Sequence, residues 1–350
     1  MHRIVKYDLL RIIACFAIVL LHVSNSYWYV VDVEGNDFLI MTIYNSFTRF
    51  GVPVFFMLSG MFQLDPERDL PVKKWFMRLC RLAAGFYIWS LFYAFQSVLF
   101  NGLRHGFGSV DREMWSDAVS RLVMGHGHMW FLLDLFGFYL LVPVFRKVCE
   151  DIRVTGYFLL LWVLVRFLLV TVFPDLAGGL VLAVVTSQHL YILTGYIGYF
   201  LGGFFLNKVN IPKRGRVLLY ISGLGALVFT MVKTIIDCRV SQSYDDHWFS
   251  PSNVNILIFS AAVFVLFKHM EVPRRLADSK LLRNMAKSTF FVYMIHPFFI
   301  EKLNLLGIKV IAYPVILSIP VMTVGIFVVS MLLGWVAGKI PAAGKLITLQ

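Results

Sequence analysis

The stretch DLLRIIACFAIVLLHVSNSYW, Asp8 to Trp28, is greasy enough to cross a bilayer, yet it carries Arg11 and, eleven residues later, His22. In hydrocarbon an ionisable side chain costs roughly 2.5–3.5 kcal/mol on insertion scales, so each of these asks for a reason. Eleven residues advance an α-helix by about 1100° and roughly 16 Å, which brings His22 back to within ~20° of Arg11 on one face. Arg11 then sits near one membrane boundary and His22 past the midplane. A histidine titrates near neutrality (~6.5), so it can take a proton from a hydroxyl and return it to a leaving group. The chemistry that fits is general-base catalysis of acyl transfer, with Asp or Arg neighbours orienting the imidazole or stabilising an oxyanion. No GxSxG elbow or Ser-His-Asp set appears, so a covalent serine intermediate is not indicated.

Depth places other ionisable groups at the level of His22. Arg49 lies about eight residues into the second apolar segment, roughly 12 Å from the outer face. Asp134 in the fourth segment is somewhat nearer the outside, with His128 and Trp130 at its mouth. Arg166 in the fifth falls roughly 10–13 Å below the outer boundary by the same helical rise. Four ionisable groups from four segments are thus expected to face one internal cavity and one another. Plainer readings stand beside this one. Asp134 can serve as structural glue for Arg49 or Arg166, His22 as a hydrogen-bonded core histidine, and Arg11 as a snorkelling anchor partnered by Asp8.

The positioning elements follow from composition. Of 350 residues 59% are hydrophobic and 15% charged, with a mean hydropathy of +0.75. Soluble domains are nearer ~45–50% apolar and ~25% charged, so the chain reads as an all-α, polytopic integral membrane protein. The 33 Phe, 15 Tyr and 8 Trp suit lipid-facing and interfacial positions. About ten spans are expected, at 8–30, 41–63, 79–100, 129–147, 155–173, 188–206, 217–236, 253–270, 287–305 and 311–338. The apolar piece 178–186 suits a re-entrant or interfacial segment. The first span reads as an uncleaved helix, because Arg11 and His22 bracket it and no A-x-A site follows.

Most of the 32 basic residues collect on one side. They include Arg68, Lys73, Lys74, Arg78 and Arg81, then Arg146 and Arg153, then Lys213 to Arg216, then Arg274 to Lys287. Asp32, Glu34 and Asp37 lie on the other side, so both termini are expected in the cytoplasm. The net charge of +12 is therefore accounted for by loops, and with no basic soluble domain a nucleic-acid partner is excluded. Cys15, Cys80, Cys149 and Cys238 are scattered without CxxC spacing, so neither a disulfide framework nor a metal site is indicated. Residues 1–350 read as a single transmembrane domain with no linker, and no internal repeat supports a duplicated transporter.

Four ordered motifs then resemble the acyltransferase family 3 membrane proteins. RIIACFAIVLLH matches that family's Arg-x10-His motif, and SFTRFGVPVFFMLSG (Ser46 to Gly60) its second-helix signature. HMWFLLDLFGFYLLVP (His128 to Pro143) resembles its H-x-W-F segment, and FFVYMIHP (Phe290 to Pro297) its Y-x-x-H-P segment. KKWFMRLCR (Lys73 to Arg81) sits where the family carries a basic motif before its third helix. The resemblance implies ten core helices and transfer of an acyl group, usually acetyl from acetyl-CoA, to a hydroxyl of an extracytoplasmic glycan or lipid-linked sugar. His22 would be the catalytic histidine, Arg11 its motif partner and Arg49 an acceptor or oxyanion contact. Lys74, Arg78 and Arg81 would hold the CoA phosphates, and Arg is a natural bidentate phosphate ligand. His128, Trp130, Asp134, Arg166, Tyr293 and His296 are the expected acceptor-side residues. The chain resembles stand-alone members that lack a fused hydrolase-like domain, in an inner or plasma membrane. A different class, a transporter or flippase of a small molecule or glycan, also suits a polar layer at mid-membrane.

Overall fold

The computed structural model describes residues 4–169, 190–193, 195–340, 344, 347 and 348. Among these, all regular secondary structure is helical. Six helical stretches are long and apolar enough to cross a membrane: Val5–Asn25, Val72–His105, Arg112–Val148, Lys213–Ser241, His247–His269 and Val315–Ala337.

Helix α1 (Val5–Asn25) is the axis of the bundle. One side of it, with Leu10, Ala14, Ala17 and Ile18, belongs to a core built on Trp89, Phe131, Phe200 and Tyr293. The other side, with Ile12, Cys15, Val19 and Val23, belongs to a second core of Trp28, Phe38, Ile319 and Phe327. A helix apolar all round must be covered all round. Here α2 (Asn36–Thr48), α3 (Gly51–Gln63), α10 (Val254–His269), α12 (Lys280–Leu305) and α13 (Val315–Ala337) do the covering. That enclosure carries Arg11 and His22 into the interior.

Helix α4 (Val72–His105) and α6 (Trp130–Val148) occupy the expected third and fourth segments. α7 (Ile152–Val163), continued by a π-helical turn at Leu164–Leu169, and α8 (Ile197–Lys208) lie in the fifth and sixth. The far end of the fifth, the start of the sixth and the 178–186 piece lie outside the described residues. α9 (Lys213–Ser241) fills the seventh segment, and the short α11 (Arg274–Ala277) precedes α12.

Two features differ from the sequence reading. The second segment is not one continuous helix: it divides at Arg49–Phe50 into α2 and α3. Pro53 has no N–H to offer the Arg49 carbonyl four residues back, so the hydrogen-bond ladder opens there. The stretch 101–128, left between the expected third and fourth spans, contains the end of α4 and an additional helix, α5 (Arg112–Met124), whose Asp111 side chain caps the Met114 amide at 2.8 Å.

α3 and α8 approach closely enough that only glycine fits at two positions. A Cβ on Gly60 would collide with the Phe200 carbonyl, and one on Gly203 with the Met57 carbonyl, whereas Gly202 faces open space. Close approach through small residues is how helices associate in lipid. Gly60→Ala is expected to cost about 2–3 kcal/mol, a fall in Tm on the order of 5–10 °C in detergent, with Gly202→Ala unchanged. Equal Tm values for the two variants would contradict this crossing.

Candidate active site

The His22 ring keeps partial exposure within the bundle, while His296 on α12 is fully buried beside it, ring centroids 4.8 Å apart. Nδ1 of His22 lies 2.9 Å from the Ile18 carbonyl, and Nδ1 of His296 lies 3.1 Å from the Val292 carbonyl. Carbonyl oxygens only accept, so in the neutral rings both Nδ1 atoms carry hydrogen. Nε2 of His296, 3.1 Å from Nδ1 of His22, is then the acceptor of that pair. His22 is held in one tautomer by two partners, and its Nε2 retains a lone pair. That is the arrangement a general base requires.

Beneath His22 lies a cavity of about 350 Å³ lined by Arg11, Ile18, Phe55, Ser59, Leu82, Phe131 and Leu132 together with Lys287 and Tyr293. From Arg11 to Ile18 it follows α1 for about 10 Å at 1.5 Å per residue, ending one helical turn short of His22. Its walls are mostly apolar, with cations at the Arg11 end. The Arg11 guanidinium lies 5.8 Å from the centre of the Phe62 ring.

The basic motif on α4 adjoins this end. Arg78 and Arg81 are half-buried and Lys74 is exposed, so Lys74 projects to the surface while the arginines turn toward the bundle. Nη1 of Arg78 donates to Gln63 at 2.5 Å, and Gln63 in turn donates to the Tyr139 hydroxyl at 3.1 Å. The turn between α3 and α4 is pinned by Arg146, which donates to the Gln63 and Pro66 carbonyls at 3.2 and 3.4 Å and to the Arg68 carbonyl. Lys208 adds ion pairs to Asp65 and Glu67 at 3.2 and 2.9 Å.

On the opposite side of His22, Arg49 donates to Asn45 at 2.5 Å and stacks 4.0 Å from the Phe249 ring centre. Asn45 donates to Asn25, one turn beyond His22 on α1, at 3.1 Å. Arg49 lines a recess of about 450 Å³ with Asp246 and the 249–253 turn. Arg166, on the π-helical turn, donates to Ser252 of that same turn. The two arginines therefore converge on one loop.

Asp134 does not join them. No ion pair or hydrogen bond of Asp134 is found among the described residues, so the expected partnership with Arg49 or Arg166 is corrected. On α6 Phe131, Leu132 and Leu135 face the cavity, and Asp134 sits about a quarter-turn round the helix from them. Trp130 shares that side face, packing 5.2 Å from the Tyr196 ring. Arg166 lies 5.8 Å from the same ring.

His128, Tyr293 and His296 do assemble around His22. Tyr293 donates its hydroxyl to the His128 carbonyl, and the His128 and His296 rings lie 5.7 Å apart. Two members of this cluster escaped the sequence reading. His126 has its Nδ1 2.8 Å from Nδ1 of His128 and its Nε2 3.0 Å from Oε1 of Glu301. The signals were present: His126 stands two residues before the H-x-W-F segment, and Glu301 is an acid in the expected ninth span, five residues past His296. Among the described residues no group of three or more His, Cys, Asp or Glu is disposed to hold a metal ion.

A family model described as an acyltransferase domain (Acyl_transf_3) matches residues 4–336. No curated protein and no solved structure matches the chain. With essentially its whole length matched, the chain belongs to acyltransferase family 3 and is a multi-pass membrane acyltransferase.

Proposed function

We propose that this protein transfers an acetyl group from acetyl-CoA to a hydroxyl of a cell-surface or lipid-linked glycan, with His22 as general base. The observation that carries this reading is the fixed His22 tautomer one helical turn beyond the end of the cationic-mouthed cavity. CoA phosphates dock at Arg78 and Arg81, with Lys74 at the rim, and the pantetheine arm enters past Arg11. The thioester carbonyl reaches the Ile18 end of the cavity. The acceptor approaches from the other side, where Arg49, Arg166, His128 and Trp130 offer polar contacts.

His22 Nε2 takes the hydroxyl proton as the oxygen attacks the thioester carbonyl. The C–O ester bond forms, the C–S bond breaks, and the CoA sulfur leaves with the electron pair toward the cavity mouth. Arg49 serves the acceptor or the developing oxyanion, where a fixed charge in a dry site is most effective. In this reading the chain is a single domain of ten spans in an inner or plasma membrane. Both termini and the Arg78 cluster then lie on the cytoplasmic side.

His22→Gln is expected to lower acetyl transfer about 10²–10⁴-fold, measured with radiolabelled acetyl-CoA on membranes, while acetyl-CoA binding is retained. Parental transfer by that variant would remove the base assignment. Arg78→Ala and Arg81→Ala are each expected to raise KM for acetyl-CoA roughly tenfold with a smaller change in kcat. An unchanged KM, with acetyl-CoA-independent glycan uptake into proteoliposomes, would instead favour transport.

A further inference from the structure

The histidines around His22 form a chain whose hydrogen-bond polarity can be read from its ends. At the outer end a carboxylate can only accept, so Nε2 of His126 donates to Oε1 of Glu301 at 3.0 Å. In the neutral ring His126 then has its lone pair on Nδ1, 2.8 Å from Nδ1 of His128, which in that form is the donor. That leaves the lone pair of His128 on Nε2, an atom buried without a partner among the described residues, in a residue 7% exposed. At the inner end His22 Nδ1 donates to His296 Nε2. His128 and His296 meet ring to ring, centroids 5.7 Å apart at 77°. The pattern is directional at its two ends, His22 donating to His296 and His128 to His126 and on to Glu301. His296 keeps its own proton on Nδ1 for the Val292 carbonyl, so that His296 and His128 both carry a lone pair on Nε2 and only ring packing joins them.

The outer end is open. Glu301 is 37% exposed at its side chain and lines, with His126, a vestibule of about 710 Å³. Gln96 donates to its other oxygen at 3.1 Å, which fixes the carboxylate. We propose that His296, His128, His126 and Glu301 form a proton-exit path that carries the acceptor hydroxyl's proton from His22 to the outer vestibule. The path rests on His22 being the base, as read above.

The step balances as follows. His22 gains the hydroxyl proton on Nε2 and passes its Nδ1 proton to His296 Nε2, which hands one on to His128 Nε2. His128 passes its Nδ1 proton to His126 Nδ1, and His126 its Nε2 proton to Glu301, which releases it to water. The departing CoA sulfur takes a proton from water at the opposite cavity. For each ester formed, one proton appears on the vestibule side and one is consumed on the CoA side. His22, His128 and His126 end in the other tautomer and reset by proton exchange with water, each losing one proton from one ring nitrogen and gaining one on the other with no net change.

The titratable and charged groups facing the chain are few. Arg49 acts on His22 from the acceptor side. Tyr93 stacks on His126 at 4.4 Å, and Tyr293 packs between His128 and His296 at 5.5 and 6.0 Å. Arg104, His105, Arg121 and Lys302 ring the vestibule, and Arg121 is paired with Asp117 at 2.8 Å.

The test uses the full protein in sealed proteoliposomes, with acetyl-CoA at fixed pH on the cationic side. Wild-type turnover is expected to release one proton into the vestibule-side compartment per acetyl transferred, read by a compartment-confined pH dye. Its kcat is expected to depend on vestibule-side pH. Glu301→Gln keeps the shape and an acceptor for His126 but not the charge. It is expected to lower kcat roughly 10–100-fold, to leave KM for acetyl-CoA unchanged and to abolish the response to vestibule pH. Lys309→Met, which removes an exposed cation that does not line the vestibule, is expected to keep parental kcat. No proton release by wild type, parental behaviour of Glu301→Gln, or equal losses in the two variants would overturn the path. Failure of the base assignment shows separately, as activity surviving in His22→Gln.

Discussion

A backbone carbonyl can accept a hydrogen bond but never donate one, and that asymmetry fixes where His22 and His296 carry their ring protons. With Nδ1 of His22 committed to the Ile18 carbonyl and to His296, the ring has one tautomer and one free nitrogen. Nothing in this requires a carboxylate at His22. A second imidazole, itself fixed by the Val292 carbonyl, plays the orienting part. The arrangement survives at membrane depth because the ring N–H groups of His22 and His296 find acceptors within the bundle, so no ionic charge need be stored on them in the resting state.

The packing explains how such a residue is reached. α1 divides two apolar cores and is covered on several sides, so its polar face opens only where neighbouring helices part. They part on the α6 and α12 side, below His22, to form the cavity that starts at Arg11. They part again where Pro53 interrupts the second segment and leaves Arg49 at the break. The same residue pattern that looks wasteful in a lipid-spanning helix is economical in one surrounded by protein.

Much of this was legible in the sequence. The shared face of Arg11 and His22 follows from helical period, and most of the helical segments from hydropathy. The basic motif was visible as charge, although only the fold shows that Arg78 and Arg81 turn inward while Lys74 does not. Asp134 illustrates the limit. Depth can be counted along one helix, but rotation about its axis is set by neighbours, and Asp134 sits a quarter-turn from the cavity. His126 and Glu301 were missed for a related reason. They lie 175 positions apart, and only the return of α12 beside the start of α6 makes them partners. The division at Arg49–Phe50 was readable from Pro53, whereas the extra helix α5 lies in a polar stretch where hydropathy carries no signal.

The central claim is that a thioester meets the free nitrogen of a tautomer-locked His22. An experimental structure with a non-hydrolysable ketone analogue of acetyl-CoA tests it most directly. The account predicts the phosphates at Arg78 and Arg81, the arm along the cavity from Arg11 to Ile18, and the acyl carbonyl facing Nε2 of His22. An analogue whose acyl end lies outside that cavity, or a His22 ring presenting Nδ1 to it, would contradict the account.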